Sequence, residues 1–555
     1  MCRLKVLISL IIIDIDPAEY LYGQAPFGPG FFLGFTESVS NMIQPMWSFW
    51  QQDSALRRQW QAAFIAGLIT LLPLILAIDL YIDDIERAMT GGRGWVKLGR
   101  PLADVLVEWL NFGRPATAIA PLHTILAIAL LSSVGVACAR AYGISSPFWT
   151  AIATLPLMAQ PYALQAMSYG FDSLFISVAL ASSVMAAFLI HLRKSWKIVI
   201  IALVLQLVSF GLYQPAANGF LAMTGCFCVA SGLNLLDQHW QILSQRWRLF
   251  ISVVIYAGGY GFYRLILFVF FEYKLNKYAA GASELKLFDK SLISSIFISA
   301  FEPIQILIKD FNYLPILLPF LLLFSAYVIL VAKWRSLGLA ISAVAGTFAV
   351  LLVAPGGMLL LSESFARHPR VLLYLGPLLM SLVLQISAIS MKLKVYSLKF
   401  VGVFPLIWLM VVMSYAYGHA YASQAHFEQA RISRIVGAAS ILRGRNSGQN
   451  LKYLVVNGVM PRSPVLQNTI RKFPLIDRLI PPLLEGDQTF SYKQLELHGL
   501  SMKKRSLDDL VGGLPVSCNP SSNAICTSEF SLHAFSGDTL YLELAPDAGP
   551  MRPRT

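Results

Sequence analysis

Charge is scarce in this chain. Only 13% of its 555 residues are Asp, Glu, Lys or Arg, against about 25% in an ordinary soluble domain. Hydrophobic residues make up 56% and mean hydropathy is +0.62, which excludes a water-soluble globule and indicates a polytopic membrane protein. Cysteine is scarce too: there are six, with no Cys/His grouping of zinc-binding spacing. No Walker loop, dinucleotide fingerprint or Gly-x-Ser-x-Gly elbow stands in a strand-turn-helix setting, and no segment reads as a cytoplasmic nucleotide-binding domain. A nucleotide-activated donor used on the inner side is therefore not expected; a donor already carried by a membrane lipid fits better. The apolar run Leu7 to Ile13 is too short for a span, which needs ~20 residues. No small-residue cleavage site follows it, so it does not read as a secretory signal.

What is present is a series of apolar runs of helical length. From Gln61 onward they fall at roughly 61–79, 121–139, 147–165, 172–190, 198–213, 216–235, 249–271, 313–332, 336–354, 370–390 and 398–417, about eleven spans. With the N-terminal side cytoplasmic, every second connection is short and basic. These connections carry Arg140, then Arg193, Lys194 and Lys197, then Arg246 and Arg248, then Lys333 and Arg335, then Lys392, Lys394 and Lys399. That pattern obeys the positive-inside rule and sets both count and direction. The net charge of +13 thus serves orientation and anionic lipid head groups, and no nucleic-acid partner is expected.

The domain organisation follows. Residues 1–55 form a cytoplasmic or interfacial segment that reads as an over-extended start, with Met42 or Met46 as alternatives. Residues 56–420 form the membrane region, with outer loops at 80–120, 272–312 and 354–370. Residues 421–555 form a small extracytoplasmic α/β domain, because Leu451–Val456 and Thr539–Leu544 read as strands between turn-rich segments. Cys518 and Cys526 bracket an Asn/Pro/Ser-rich turn in that tail, and a disulfide between them is expected on an oxidising side. Cys138, Cys226 and Cys228 lie in or beside apolar spans, where buried thiols are ordinary.

The richest polar sequence lies just outside the first span, at Tyr81-Ile-Asp-Asp-Ile-Glu-Arg87, Gly91-Gly-Arg-Gly-Trp95 and Gly99-Arg-Pro-Leu102. Ionisable groups placed against lipid cost free energy and read as functional. A helical turn sets Arg87 beside Asp83 or Asp84, which would lower that carboxyl's pKa and hold it ionised. The other carboxylate would act as general base on an acceptor hydroxyl, or share a divalent metal with its neighbour. Leu102, Val105, Leu106 and Trp109 make one apolar face of a short helix opened by Pro101, with Asp104 and Glu108 opposite. Arg93, Arg100, Arg114, Arg367, His368 and Arg370 share the outer side, where a guanidinium fork suits phosphate. Asp172 and Gln214 stand at the tops of spans, as helix caps or as ligand contacts.

The acidic loop, Asp83-Asp84 with Arg87, Gly91, Trp95 and Gly99-Arg-Pro-Leu102, resembles the first periplasmic loop of the Gtr-type serotype-converting O-antigen glucosyltransferases. The Ser168-Tyr-Gly-Phe-Asp172-Ser turn is similar to that family's pattern as well. The resemblance covers about Ile78 to Tyr415 and implies a GT-C fold with an acidic motif in its first outer loop. It also implies a polyprenyl-phosphate sugar, typically undecaprenyl-phosphate glucose, as donor and a lipid-linked glycan as acceptor, with inversion at the anomeric centre. By that resemblance Asp83 or Asp84 deprotonates the acceptor and Arg100 meets the lipid phosphate; Arg367 and Arg370 join it by topology. A donor synthase and a flippase would be pathway partners. No cofactor is demanded, and a divalent metal stays open.

Two other classes compete. A glycan polymerase or ligase shares this topology but would place its emphasis on arginines in a large later loop. A transporter would carry ionisable residues or broken helices near the bilayer midplane, and the span interiors here are nearly free of charge.

Overall fold

The computed structural model describes residues 53–77, 80–92, 94–192, 195–236, 245–271, 292–311, 337–361, 368–395, 397–446, 451–486, 488–510, 523–535 and 538–544. The described residues from Gln59 onward form one compact unit.

The membrane region is helical. Its helices are α1 (Ser54–Ala77), α2 (Asp83–Thr90), α3 (Pro101–Leu110), α4 (Leu122–Ala141), α5 (Pro147–Ala159), α6 (Ala163–Ser168), α7 (Ser173–Leu192), α8 (Trp196–Leu212), α9 (Gly219–Gly232), α10 (Gln245–Phe270), α11 (Leu292–Asp310), α12 (Leu337–Val353), α13 (Leu375–Leu393) and α14 (Ser397–Arg445). Among the described residues, six stretches are long and apolar enough to cross a membrane: Ser54–Ala77, Leu122–Ala141, Ser173–His191, Trp247–Phe270, Pro369–Leu393 and Lys399–Arg445. Three shorter apolar helices, Pro147–Ala159, Trp196–Leu212 and Ile341–Val353, accompany them. Membrane association follows from these helices.

The expected set of eleven spans differs in particulars. The run at 147–165 is broken, because Gln160 is extended (φ −60°, ψ 145°), as a residue preceding proline prefers to be. Its side chain accepts the Tyr162 N–H at 3.0 Å. The run at 216–235 holds only the 14-residue α9, entered through a 3-10 turn at Gln214–Asn218. The run at 313–332 lies outside the described residues. The loop expected at 272–312 contains α11.

The last helix is far longer than expected. Instead of stopping near 417, α14 runs on to Arg445, 49 residues from Ser397. Its distal half is helical because it is packed: Ile432, Ile435, Ala439 and Leu442 are buried in the core of the tail with Leu454, Leu532, Leu540 and Leu542. The tail adds β1 (Tyr453–Asn457), α15 (Pro464–Lys472), α16 (Leu475–Leu479), α17 (Thr489–Leu497), β2 (Lys503–Lys504), β3 (Ala524–Cys526), β4 (Phe530–Phe535) and β5 (Thr539–Leu544). The strands make one sheet in the order β2-β1-β5-β4-β3. β1 runs parallel to β2 and β5, while β4 runs antiparallel to its neighbours β3 and β5.

The tail is not a detached domain. Leu466, Leu475, Ile476 and Leu479 are buried in the same core as Leu71, Tyr81 and Tyr417, and α17 packs against α2. Arg478 Nη1 meets Asp310 Oδ2 at 2.8 Å, and the Tyr162 hydroxyl donates to the same oxygen at 2.9 Å. The tail therefore closes one side of the acidic helix. Cys526 is disulfide-bonded, while Cys518 lies outside the described residues.

Candidate active site

The site grows from the way the chain leaves α1. Tyr81 is buried, its hydroxyl donating to the Leu479 carbonyl at 2.7 Å, and burial pushes that phenol up to about 12, so it stays a neutral donor. Ile82 then takes a positive φ of 47°, rare for a β-branched residue, and turns the chain into α2. Gly91 closes α2 in the left-handed region (φ 60°), its N–H donating to the Arg87 carbonyl at 2.9 Å. Gly is needed there, since a Cβ would come within 2.3 Å of Pro115 Cβ.

The following loop is stitched from behind. Asp104, on the buried side of α3, accepts the Val96 N–H at 2.7 Å and the Gly94 N–H at 3.4 Å. Gln214 Nε2 donates to the Gly99 carbonyl at 2.7 Å, and the Tyr263 hydroxyl donates to that carbonyl at 2.5 Å. Leu102, Val105 and Trp109 are exposed while Asp104 faces in, as expected of this helix, but Leu106 is partly buried against the core and Glu108 is partly exposed rather than turned in with Asp104.

This scaffold brings separated charges together. Asp172 Oδ1 accepts from Trp95 Nε1 at 2.9 Å and from Arg87 Nη1 at 3.2 Å, and its Oδ2 lies 3.8 Å from Arg100 Nη1. Arg87 stacks over the Trp95 ring at 4.4 Å, Arg100 over Tyr213 at 4.6 Å and Arg370 over Tyr169 at 4.7 Å. Three guanidiniums are thus held over aromatic faces, which restricts where their forks can point. The Nε of Arg100 is buried without a hydrogen-bond partner.

The paired acids separate. Asp84 is fully buried; its Oδ2 accepts the Gly170 N–H at 2.7 Å and its Oδ1 lies 3.7 Å from Arg87 Nη1 without a hydrogen bond. Asp83, one residue earlier, is exposed, and its charge bears on Tyr81, Arg87 and Tyr169. Arg87 does pull the Asp84 pKa down, but the expected net result, a carboxyl held ionised, is not what Asp84 shows. Asp84 is pushed up to about 7, because removal from water and the Asp172 charge outweigh Arg87 and the Gly170 N–H.

Of the residues singled out in the sequence, Asp84, Arg87, Trp95, Arg100 and Asp172 converge. Arg370 joins them through Tyr169, and its backbone N–H donates to Gln165 at 2.9 Å. Asp172 engages side chains rather than capping α7, and Gln214 holds the loop rather than standing in the cluster. Arg114 pairs with Glu108 at 3.3 Å on the exposed side of the loop. Arg93 and Arg367 lie outside the described residues. Reasoning from sequence missed His123, whose Nδ1 donates to the Gly170 carbonyl at 2.6 Å while Nε2 has no partner. It also missed Tyr213 as a stacking platform. Only their place at the ends of spans signalled either.

Among the described residues no three His, Cys, Asp or Glu side chains form a metal-ligating group, and the two buried carboxylates already share Arg87. An apolar hollow of about 500 Å³, lined by Phe400, Val401, Phe404 and Pro405, sits near the start of α14. It offers no polar group for chemistry.

A family model described as Glucosyl transferase GtrII matches residues 72–381, more than half the chain. The chain belongs to the GtrII glucosyl transferase family. The match runs from inside α1 to α13 and so takes in every residue of the charged cluster, whereas the tail beyond 381 lies outside it. The resemblance to Gtr-type glucosyltransferases read from the acidic loop is borne out. A protein of Salmonella phage P22, described as an uncharacterized 55.3 kDa protein in the gtrB 5′ region, is 23% identical over 449 residues, covering 80% of this chain and 90% of the phage protein. No solved structure matches the chain.

Proposed function

We propose that the chain is an inverting glycosyltransferase that moves a sugar, glucose by its family, from a polyprenyl phosphate such as undecaprenyl phosphate to an O-antigen or related surface glycan. The reaction takes place on the periplasmic face of the bacterial inner membrane. The observation that carries this reading is the division of labour at Asp83-Asp84. Asp83 is open to an acceptor, and Asp84 is buried beside Arg87 in the cluster that, through Asp172, also holds Arg100, whose guanidinium a lipid phosphate would need.

In this reading Asp83 takes the proton, since a base must first be within reach of its substrate. The acceptor oxygen attacks the anomeric carbon, the carbon–oxygen bond to phosphate breaks, and the polyprenyl phosphate leaves with the bonding electrons. Arg100 and Arg370, laid on Tyr213 and Tyr169, meet the charge that grows on the leaving phosphate. Asp84 and Asp172 hold Arg87 and keep the loop in register. The tail, packed on the acidic helix, forms the side from which the glycan acceptor enters.

A lipid-linked sugar presented outside implies a synthase that makes it inside and a flippase that carries it across. The decisive experiment compares surface glycan composition in cells with and without the gene. Loss of one side-branch sugar with chain length unchanged supports transfer; shortened chains with all sugars retained would point to a polymerase.

A further inference from the structure

Arg248, the fourth residue of α10, is almost completely buried at 1% exposure. Its Nε and Nη2 have no hydrogen-bond partner, its Nη1 reaches only Ser231 Oγ at 3.5 Å, and no carboxylate pairs with it among the described residues. Ser252, one helical turn along α10, is buried with its hydroxyl unpartnered as well. Removing a guanidinium from water without an anion costs several kcal/mol, so this group is built to receive one. The place is remote from the acidic helix. Asp172 immediately precedes α7, whereas Arg248 bears on His191 at the far end of that helix, roughly 28 Å away along the axis.

We propose that Arg248, Ser231 and Ser252 form a second anion site, which binds the phosphate of an anionic phospholipid head group between the ends of α9 and α10. The adjoining wall favours a lipid as the source of the phosphate. Trp247, Phe250 and Val253, interleaved with Arg248 and Ser252, are 45%, 59% and 63% exposed and form a surface for acyl chains. Basic pockets between membrane helices hold head groups in this way. The proposal is independent of the transferase reading.

The test uses the full-length protein in detergent, titrated with phosphatidylglycerol, phosphatidylcholine or inorganic phosphate while the thermal midpoint is followed. Phosphatidylglycerol raises the wild-type midpoint and phosphatidylcholine does not. Arg248→Gln weakens the response about tenfold, the loss of one charge-assisted hydrogen-bond set, and Ser252→Ala weakens it severalfold. A response to inorganic phosphate matching that to phosphatidylglycerol would support the anion site with free phosphate as its occupant; a much weaker one supports the head group. Should Arg248→Gln not fold, Ser252→Ala decides. An identical phosphatidylglycerol response in wild type and in the variants that fold, or none in wild type, overturns the site.

Discussion

The N–H of Gly170 donates to Asp84 Oδ2 at 2.7 Å, across 86 residues of sequence. That single bond ties the acidic helix to the turn that carries Asp172, and the Gly170 carbonyl is held in its turn by His123. The acid therefore serves as a joint before it serves as a charge.

The joint has a pH signature. Asp84 keeps its proton in the fold up to about 7, against a usual value of 3.8. As pH rises from about 4 to about 7, the unfolded chain releases a proton that the fold retains. Stability contributed by this group is thus greatest at low pH and is lost across that window. Asp84→Asn, which keeps an oxygen for Gly170, removes the dependence. Thermal midpoints measured at several pH values should fall less steeply in the variant; parallel curves would assign the titration to another group.

Arg100 offers a test of phosphate recognition. Lysine at this position retains the charge but loses the planar fork stacked on Tyr213. Arg100→Lys should lower kcat/KM for the polyprenyl-phosphate sugar about tenfold, a loss of about 1.4 kcal/mol of transition-state stabilisation, with most of the loss in kcat. An unchanged kcat/KM would remove Arg100 from stabilising the leaving phosphate.

The tail is held by an ion pair between the partly exposed Arg478 and the buried Asp310. Arg478→Ala leaves Asp310 with only the Tyr162 hydroxyl, and should cost about 2 kcal/mol. Limited proteolysis would then release fragments beyond Arg445 faster than in wild type. Arg478→Ala combined with Asp310→Asn should recover part of the loss, and a cleavage rate equal to wild type would show that the pair does not anchor the tail.

Much of this arrangement is legible in the sequence, and for physical reasons. The acidic loop is readable because charge beside an apolar run is costly, and β1 and β5 are readable because their short apolar runs are framed by turn residues. The length of α14 is not, because hydropathy falls after Tyr421 while helicity is maintained by packing against strands encoded up to about 120 residues later. The break after Ala159 hides inside an apolar run that hydropathy reads as continuous. The Asp84 shift is equally hidden: proximity to Arg87 in sequence suggests a lowered pKa, and only burial beside Asp172 reverses it.

The central claim is that the exposed acid of the pair does the chemistry while the buried one holds the site. The most direct measurement is the rate of sugar transfer by purified Asp83→Asn from a polyprenyl-phosphate sugar to a lipid-linked glycan, with its thermal midpoint taken in parallel. The account predicts a loss of about a hundredfold or more, as removal of a general base gives, in a protein whose midpoint matches wild type. Transfer by Asp83→Asn at the wild-type rate would contradict it.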